Sequence, residues 1–191
     1  MKKLPDYMDN PVDTYLVNLF DNHSEFFKKT GHTPNILTTY SLIFGLLSCY
    51  FLNIKRIILF SIFYSISYFF DCADGHFARK YSMTSKFGDI YDHTKDILVG
   101  LLVLYITFKN SSHNITPFTI VLLIIFIFLA VFHISCQENN CDDKFKDKDN
   151  GSLKLVNSLC RKKENIKWSR FFGTGTFNVF FIILIAYINR K

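Results

Sequence analysis

The feature that most constrains this chain is the gathering of its apolar residues into long uncharged blocks, with the charges collected between them. Residues 36–54 carry no charge, and residues 57–70 form a second such run that continues into Asp71. A third segment starts polar at Asp89 and turns apolar from Ile97 to Thr107; residues 116–136 and 171–188 make the fourth and fifth. An apolar helix of about 20 residues crosses the roughly 30 Å hydrocarbon core. Backbone polar groups there must be satisfied within the segment, which selects helices. The expected fold is therefore an all-α integral membrane protein, a bundle of five transmembrane helices at about 36–54, 57–75, 89–108, 116–136 and 171–188. The bulk balance of 49% hydrophobic and 20% charged residues would also suit a soluble domain. The distribution decides the matter.

The second and third apolar runs are short for a full crossing at about 1.5 Å per residue. Both deficits fall on the same side and are made up by segments that contain aspartates. Those polar ends are expected inside the protein near one interface. Residues 10–31 read as one amphipathic helix, capped by Asn10, with Pro11 at its first position and Gly31 as its stop. Val12, Tyr15, Leu16, Leu19, Phe20, Phe26 and Phe27 would form its apolar face, and Asp13, Asn18, Asp21, Asn22, Glu25 and Lys28 its polar one. Such a helix beside a membrane domain lies in the interface. The division expected is a cytosolic N-terminal segment, 1–34, and a membrane domain, 35–191, with a basic cytosolic loop at 137–170.

The net charge of +6 would suggest nucleic acid in a soluble domain. In a membrane protein it reads as orientation, because Lys and Arg are retained in cytoplasmic loops. With the N-terminus in the cytosol, the far side holds only Lys55, Arg56, Lys109, Arg190 and Lys191, and the C-terminus lies there too. The Asn114-Ile115-Thr116 sequon is expected to go unused, since Pro117 follows in a short loop. No cleavable leader is visible, and the first span can target the chain. The five cysteines lack zinc spacing, and their odd number argues against a disulfide framework, so they read as reduced, buried small residues. The abundant aromatics read as lipid-facing or core surface, with no nucleic-acid partner.

The chemistry is concentrated at Asp71-Cys-Ala-Asp74-Gly75-His-Phe-Ala78-Arg79, followed after eight residues by Gly88-Asp-Ile-Tyr-Asp92-His-Thr-Lys-Asp96. Spacings of three and four put each aspartate pair on one helix face. A short loop brings both pairs to one membrane level, where four carboxylates can converge. Four carboxylates repel one another unless a cation neutralises them. Hard divalent ions such as Mg²⁺ take oxygen ligands and suit the set. Paired metal ions can clamp a diphosphate and stabilise its leaving oxygen. Arg79 supplies a fixed positive fork for phosphate oxygens. Gly75, Ala78 and Gly88 are small where helices and a nucleotide approach closely.

The pattern D-x-x-D-G-x-x-A-R, eight residues, G-x-x-x-D-x-x-x-D resembles the signature of the CDP-alcohol phosphotransferase family at every fixed position. The match covers residues 71–96, and His32-Thr-Pro34-Asn35-Ile-Leu-Thr38 resembles the family's Pro-Asn segment. The resemblance implies that a CDP-linked donor is attacked by an alcohol, CMP leaves and a phosphodiester lipid forms in the membrane. Asp71, Asp74, Asp92 and Asp96 would hold Mg²⁺ or Mn²⁺, as two ions. Asp96 would also act as general base with Asp92 beside it in the catalytic pair. Asn35, Gly75, Ala78, Arg79 and Gly88 would receive the CDP moiety. Two stretches differ on substrate. Residues 88–93 resemble choline and ethanolamine phosphotransferases, which take a CDP-amino-alcohol and diacylglycerol. Residues 74–76 resemble phosphatidylinositol synthases, and the short chain favours the branch that uses CDP-diacylglycerol. Family members usually show six spans where this chain shows five, which puts the acceptor in question. The family often forms homodimers, but no interface for one is visible in the sequence.

Neighbouring residues have plainer readings. Asp89 reads as a solvated carboxylate, and His76 and His93 as loop or supporting residues, because oxygen-preferring ions do not favour imidazole. Lys95 either balances charge or extends outward. Arg161, Lys162, Lys163, Lys167 and Arg170 suit headgroups or an anionic acceptor, and equally orientation. Trp168 fits an interfacial anchor, and Gly173 and Gly175 fit helix packing. Two other classes of function compete. An ion pathway would need carboxylates spread through the bilayer, whereas these gather at one face. A catalytically degenerate scaffold is opposed by the intact signature and favoured by the absent sixth span.

Overall fold

The computed structural model describes residues 8–140, 159–160 and 163–190. Its regular elements are helices: α1 (Pro11–Asp21), α2 (Ser24–Lys29), α3 (Pro34–Asn53), α4 (Ile57–Lys80), α5 (Lys86–Ser111), α6 (Pro117–Asn140), α7 (Ile166–Ser169) and α8 (Thr174–Ile188). Short 3₁₀ turns lie at Ser112–Asn114, Lys163–Asn165 and Arg170–Phe172. No strand occurs among the described residues. The chain divides into two compact units. One comprises Leu16–Thr116 with Ile182–Lys191, the other Lys2–Tyr15 with Pro117–Phe181.

In the first unit α3 packs against both α4 and α5. Pro34 opens α3 after an extended Thr33, where a proline's missing N–H costs nothing. Gly45 lets the three helices close up: a Cβ there would come within 2.9 Å of Val99 and 3.2 Å of the Ser67 hydroxyl. One turn away, the Ser41 hydroxyl donates to the Ser67 carbonyl at 2.9 Å, and the Ser67 hydroxyl donates back to the Ser41 carbonyl at 2.8 Å. Such exchanges join apolar helices that have no hydrophobic drive to associate in lipid. Phe20, Leu37, Ala73 and Phe77 form a buried cluster. At another end of this unit, Ser111 donates to the Asn189 side-chain carbonyl, and the Asn114 amide donates to Ile188.

In the second unit Phe126 and Phe180 stack at 3.6 Å. Asn10 accepts from the Val12 amide at 3.0 Å, as the cap reading requires, and donates to the Arg170 carbonyl and Thr176 hydroxyl. Asp13 accepts from the Thr174 hydroxyl and the Gly175 amide. Gly175 is needed at this junction because a Cβ would strike the Asp13 carboxylate, and Gly173 because one would meet His133 at 2.6 Å. Both glycines therefore serve close packing, as expected from the sequence.

Several sequence expectations are corrected. The single helix over 10–31 is two, α1 and α2, broken at Asn22–His23. Its faces also differ: Asp13 and Asn10 are buried, whereas Tyr15 and Phe26 are largely exposed. Phe20 of the apolar stripe is buried with Leu37, Ala73 and Phe77, so polar and apolar residues both dock this segment. The odd number of cysteines does not prevent a disulfide: Cys49 and Cys72 remain thiols, but Cys136 and Cys160 form one. Their separation of 24 residues belongs to no short motif, so spacing did not expose it. The aspartate pairs lie inside α4 and α5, not at helix ends, because the helices run on to Lys80 and start at Lys86. Helix also enters the stretch read as a loop: α6 continues to Asn140 and α7 begins at Ile166. Residues 141–158, 161 and 162, with the basic side chains read there, lie outside the described residues.

Among the described residues, four stretches are long and apolar enough to cross a membrane: Pro34–Asn53, Ile57–Lys80, Pro117–Gln137 and Ile166–Ile188. The third of the five expected spans, within α5, is not among them, because Asp92, Lys95, Asp96 and Lys109 interrupt it. Side chains such as Ile58, Ile124 and Phe118, each more than half exposed, give these helices an apolar outer surface larger than a soluble domain carries.

Candidate active site

The site belongs to the first unit and is carried by α4 and α5, with α3 behind them. Local sequence sets the hairpin between the two carriers. Arg79 and Lys80 close α4 at the end that favours cations. Ser82 turns the chain with a φ of 54°, and the Ser85 hydroxyl caps α5 by accepting from the Gly88 amide at 3.0 Å. The result returns Asp92 and Asp96 to the level of Asp71. Ligand oxygens of Asp71, Asp92 and Asp96 lie within 4.8 Å of one another.

The fourth aspartate has a different setting. Asp74 is not a member of that close group; it is buried and accepts a 2.5 Å hydrogen bond from the Thr38 hydroxyl of α3. Asp71, Asp92 and Asp96 thus form the tightest group, and Asp74 is oriented from α3. Of the three, Asp96 is the open one: its side chain is 56% exposed, against 22% for Asp71 and 29% for Asp92.

Lys95 settles one alternative left open by the sequence. It does not extend outward. Its side chain is only 2% exposed, and its ammonium hydrogen-bonds Asp71, lies 2.6 Å from Asp96 and 3.2 Å from Asp92, and donates to Ser41 at 3.2 Å.

The remaining candidates fall at two small-residue contacts. A Cβ on Gly75 would come 3.1 Å from the Arg79 guanidinium, so glycine lets Arg79 lie back along α4. A Cβ on Gly88 would meet the Asn35 side-chain oxygen at 3.0 Å, which places Asn35 beside the start of α5. Ala78 lies one residue before Arg79 on α4 and is half-buried. Asp89 is exposed and pairs loosely with His93 at 3.7 Å, which agrees with the plain reading of both.

Beside the site a second polar cluster, unnoticed in the sequence, ties α1 to α4. Asp21 accepts from Lys80 at 2.6 Å and from His76 at 2.7 Å, and Lys80 also donates to Ser24 at 2.8 Å. Burial pushes the Asp21 carboxyl up, but the bonds from Lys80 and His76 outweigh it and hold the group at about 2. His76 is thus a positioning contact for α1, not a ligand. Thr38 and Asp21 were given no part in the site by the sequence, and Lys95 only the alternatives of charge balance or outward extension. Thr38 sits one turn after Pro34 and Lys95 between two motif aspartates, so both carried a positional signal; Asp21 carried none.

The donor set is all oxygen and carries more negative charge than one ammonium neutralises, which fits a hard divalent ion. Asp71, Asp92 and Asp96 could hold such an ion, with Asp74 near them.

Comparison with known proteins gives the following. The profile of the CDP-alcohol phosphatidyltransferase family matches residues 31–189. An archaetidylinositol phosphate synthase of Pyrococcus horikoshii is 36% identical over 75 residues, which cover 39% of this chain and 40% of that protein. The alignment therefore spans well under half of the relative's length. No solved structure matches.

Proposed function

The chain belongs to the CDP-alcohol phosphatidyltransferase family, and from that premise we propose that it transfers a phosphatidyl group from CDP-diacylglycerol to an alcohol, releasing CMP. The observation that carries the reading is the convergence of Asp71, Asp92 and Asp96, with Asp96 open to solvent. The relative's name supports a lipid-phosphate product and a polyol type of acceptor. In the reaction the acceptor oxygen forms a bond to the phosphorus attached to the lipid, and the bond from that phosphorus to the CMP oxygen breaks. The acceptor's proton passes to the Asp96 carboxylate, which acts as general base. Arg79, with Gly75 leaving it room, holds phosphate oxygens of the donor. Asn35 and Gly88 border the space where the nucleotide would enter, with Ala78 on the α4 side. Mg²⁺ or Mn²⁺, as two ions, would neutralise the diphosphate and stabilise the departing oxygen when bound. Asp71, Asp74, Asp92 and Asp96 would hold them.

The protein is integral to the membrane, and we assign α5 as a further span whose first half carries the site, with Lys95 turned inward. The division into an N-terminal segment, 1–34, and a membrane domain, 35–191, follows from the same reading. The exposed Tyr15, Leu19 and Phe26 suit α1 and α2 to the interface. The basic bias places the N-terminus and the aspartates in the cytosol. The Cys136–Cys160 disulfide bears against that side, because such bonds persist in oxidising compartments. Many basic residues outweigh one bond, and labelling an introduced surface cysteine with an impermeant reagent decides the sidedness.

A second reading rests on the Gly88–His93 stretch: a choline- or ethanolamine-type enzyme using diacylglycerol. The test is CMP release by the purified protein with Mg²⁺ or Mn²⁺, given CDP-diacylglycerol with a panel of alcohols or CDP-choline with diacylglycerol. Asp96→Asn is expected to lower release by about 10²–10⁴-fold. Full activity in that variant removes Asp96 from the mechanism.

A further inference from the structure

Lys95 has a place in the site that metal binding alone does not explain. It stands on α5 between two candidate ligands, one residue before Asp96 and three after Asp92. A lysine at such a position can reach solvent along the helix surface. Instead its arm folds inward, and its ammonium is surrounded by oxygens of Asp71, Asp92, Asp96 and Ser41. Three of those four oxygens belong to the group that would bind the ion. Ser41 is itself fixed by its exchange with Ser67, so the ammonium is anchored from α3 as well. An ammonium has three donors and no acceptor, so it can take a cation's position but not coordinate one.

We propose that Lys95 is a tethered cation that occupies the carboxylate cluster in the metal-free protein and competes with the divalent ion for it. The inference rests on reading the cluster as a metal site. Buried carboxylates this close together repel strongly without a counter-charge, and the lysine supplies one from within the chain. It holds Asp71 of α4 against Asp92 and Asp96 of α5, so the hairpin keeps its shape before metal arrives. A divalent ion using the same oxygens would meet the ammonium at repulsive range, and each therefore weakens the other's hold. The protein gains a preformed site and loses part of its metal affinity.

The experiment compares Mn²⁺ binding, by paramagnetic resonance and titration calorimetry, in wild type, Lys95→Met, Lys95→Arg and Asp92→Asn after chelation. Thermal unfolding of each is followed with and without Mn²⁺. Lys95→Met is expected to bind Mn²⁺ about tenfold or more tightly, the scale on which neighbours of metal ligands act. Its metal-free melting temperature falls below that of wild type, and Mn²⁺ restores it. Lys95→Arg, which keeps the charge, stays near wild type. Equal or weaker binding by Lys95→Met, with wild type binding and Asp92→Asn not, overturns the competition and leaves the metal site standing. No binding by wild type or Lys95→Met overturns the metal reading and the competition with it. A Lys95→Met protein that does not fold even with Mn²⁺ shows a purely structural lysine and also overturns the proposal.

Discussion

Each unit of the molecule contains a buried polar cluster, and the two are built to opposite rules. In the second unit Asn10 and Asp13 hydrogen-bond backbone groups and the hydroxyls of Thr174 and Thr176. These bonds fix where the chain enters α1. In the first unit three carboxylates face one ammonium. That cluster holds surplus negative charge and an exposed carboxylate at Asp96. Satisfied polar groups specify structure. A deliberate imbalance of charge stores affinity for something outside the chain.

Substitutions that exchange the two behaviours test this contrast. The largest effect is expected from Asp71→Asn. CMP release should fall by more than about 100-fold, the upper end of what even an indirect neighbour of a metal ligand costs. The metal-free melting temperature should change little, because the lost pairing of Asp71 with Lys95 is offset by removal of a repelling charge while Asp92 and Asp96 still pair with the ammonium. A large loss of stability instead would make the aspartate cluster structural, like the other.

Asn10→Ala should do the reverse. It removes a helix cap and leaves buried partners unpaired, costing about 1–3 kcal/mol, while turnover per folded molecule is unchanged. Denaturation monitored beside CMP release separates the two. Reduced turnover at unchanged stability would break the comparison.

The smallest effect is expected at Asp21, whose carboxylate is 40% exposed. Its group is held at about 2 in the folded chain, below the ordinary 3.8. The ionised form is thus favoured by folding, so its contribution is present above pH 3.8 and is lost as pH falls through about 2. Asp21→Asn should be less stable than wild type near neutrality, with the two melting curves converging toward pH 2. A constant difference across that range would remove the ion pair as its cause.

Legibility of the site followed distance along the chain. The pairs Asp71/Asp74 and Asp92/Asp96 could be read from helical spacing alone, and Asp71, Asp92 and Asp96 do come together. What orients Asp74 was not legible, because Thr38, far away in sequence, supplies its hydrogen bond. The same holds for Asp21 with Lys80 and for Cys136 with Cys160. Periodicity also did not show which residues of α1 are buried: Asn10, Asp13 and Phe20 are, while Tyr15 of the same apolar stripe is exposed.

The order of apolar blocks and the spacing of the aspartates determined, from sequence alone, an all-helical chain with a carboxylate hairpin. Both are local patterns with fixed periods, which a helix converts directly into faces. Tertiary structure alone decided which carboxylates share a centre, where the Lys95 ammonium points and which polar residues dock α1. Those outcomes depend on partners from other helices, and the cost of burying an unpaired charge or polar group selects them only once the helices are packed.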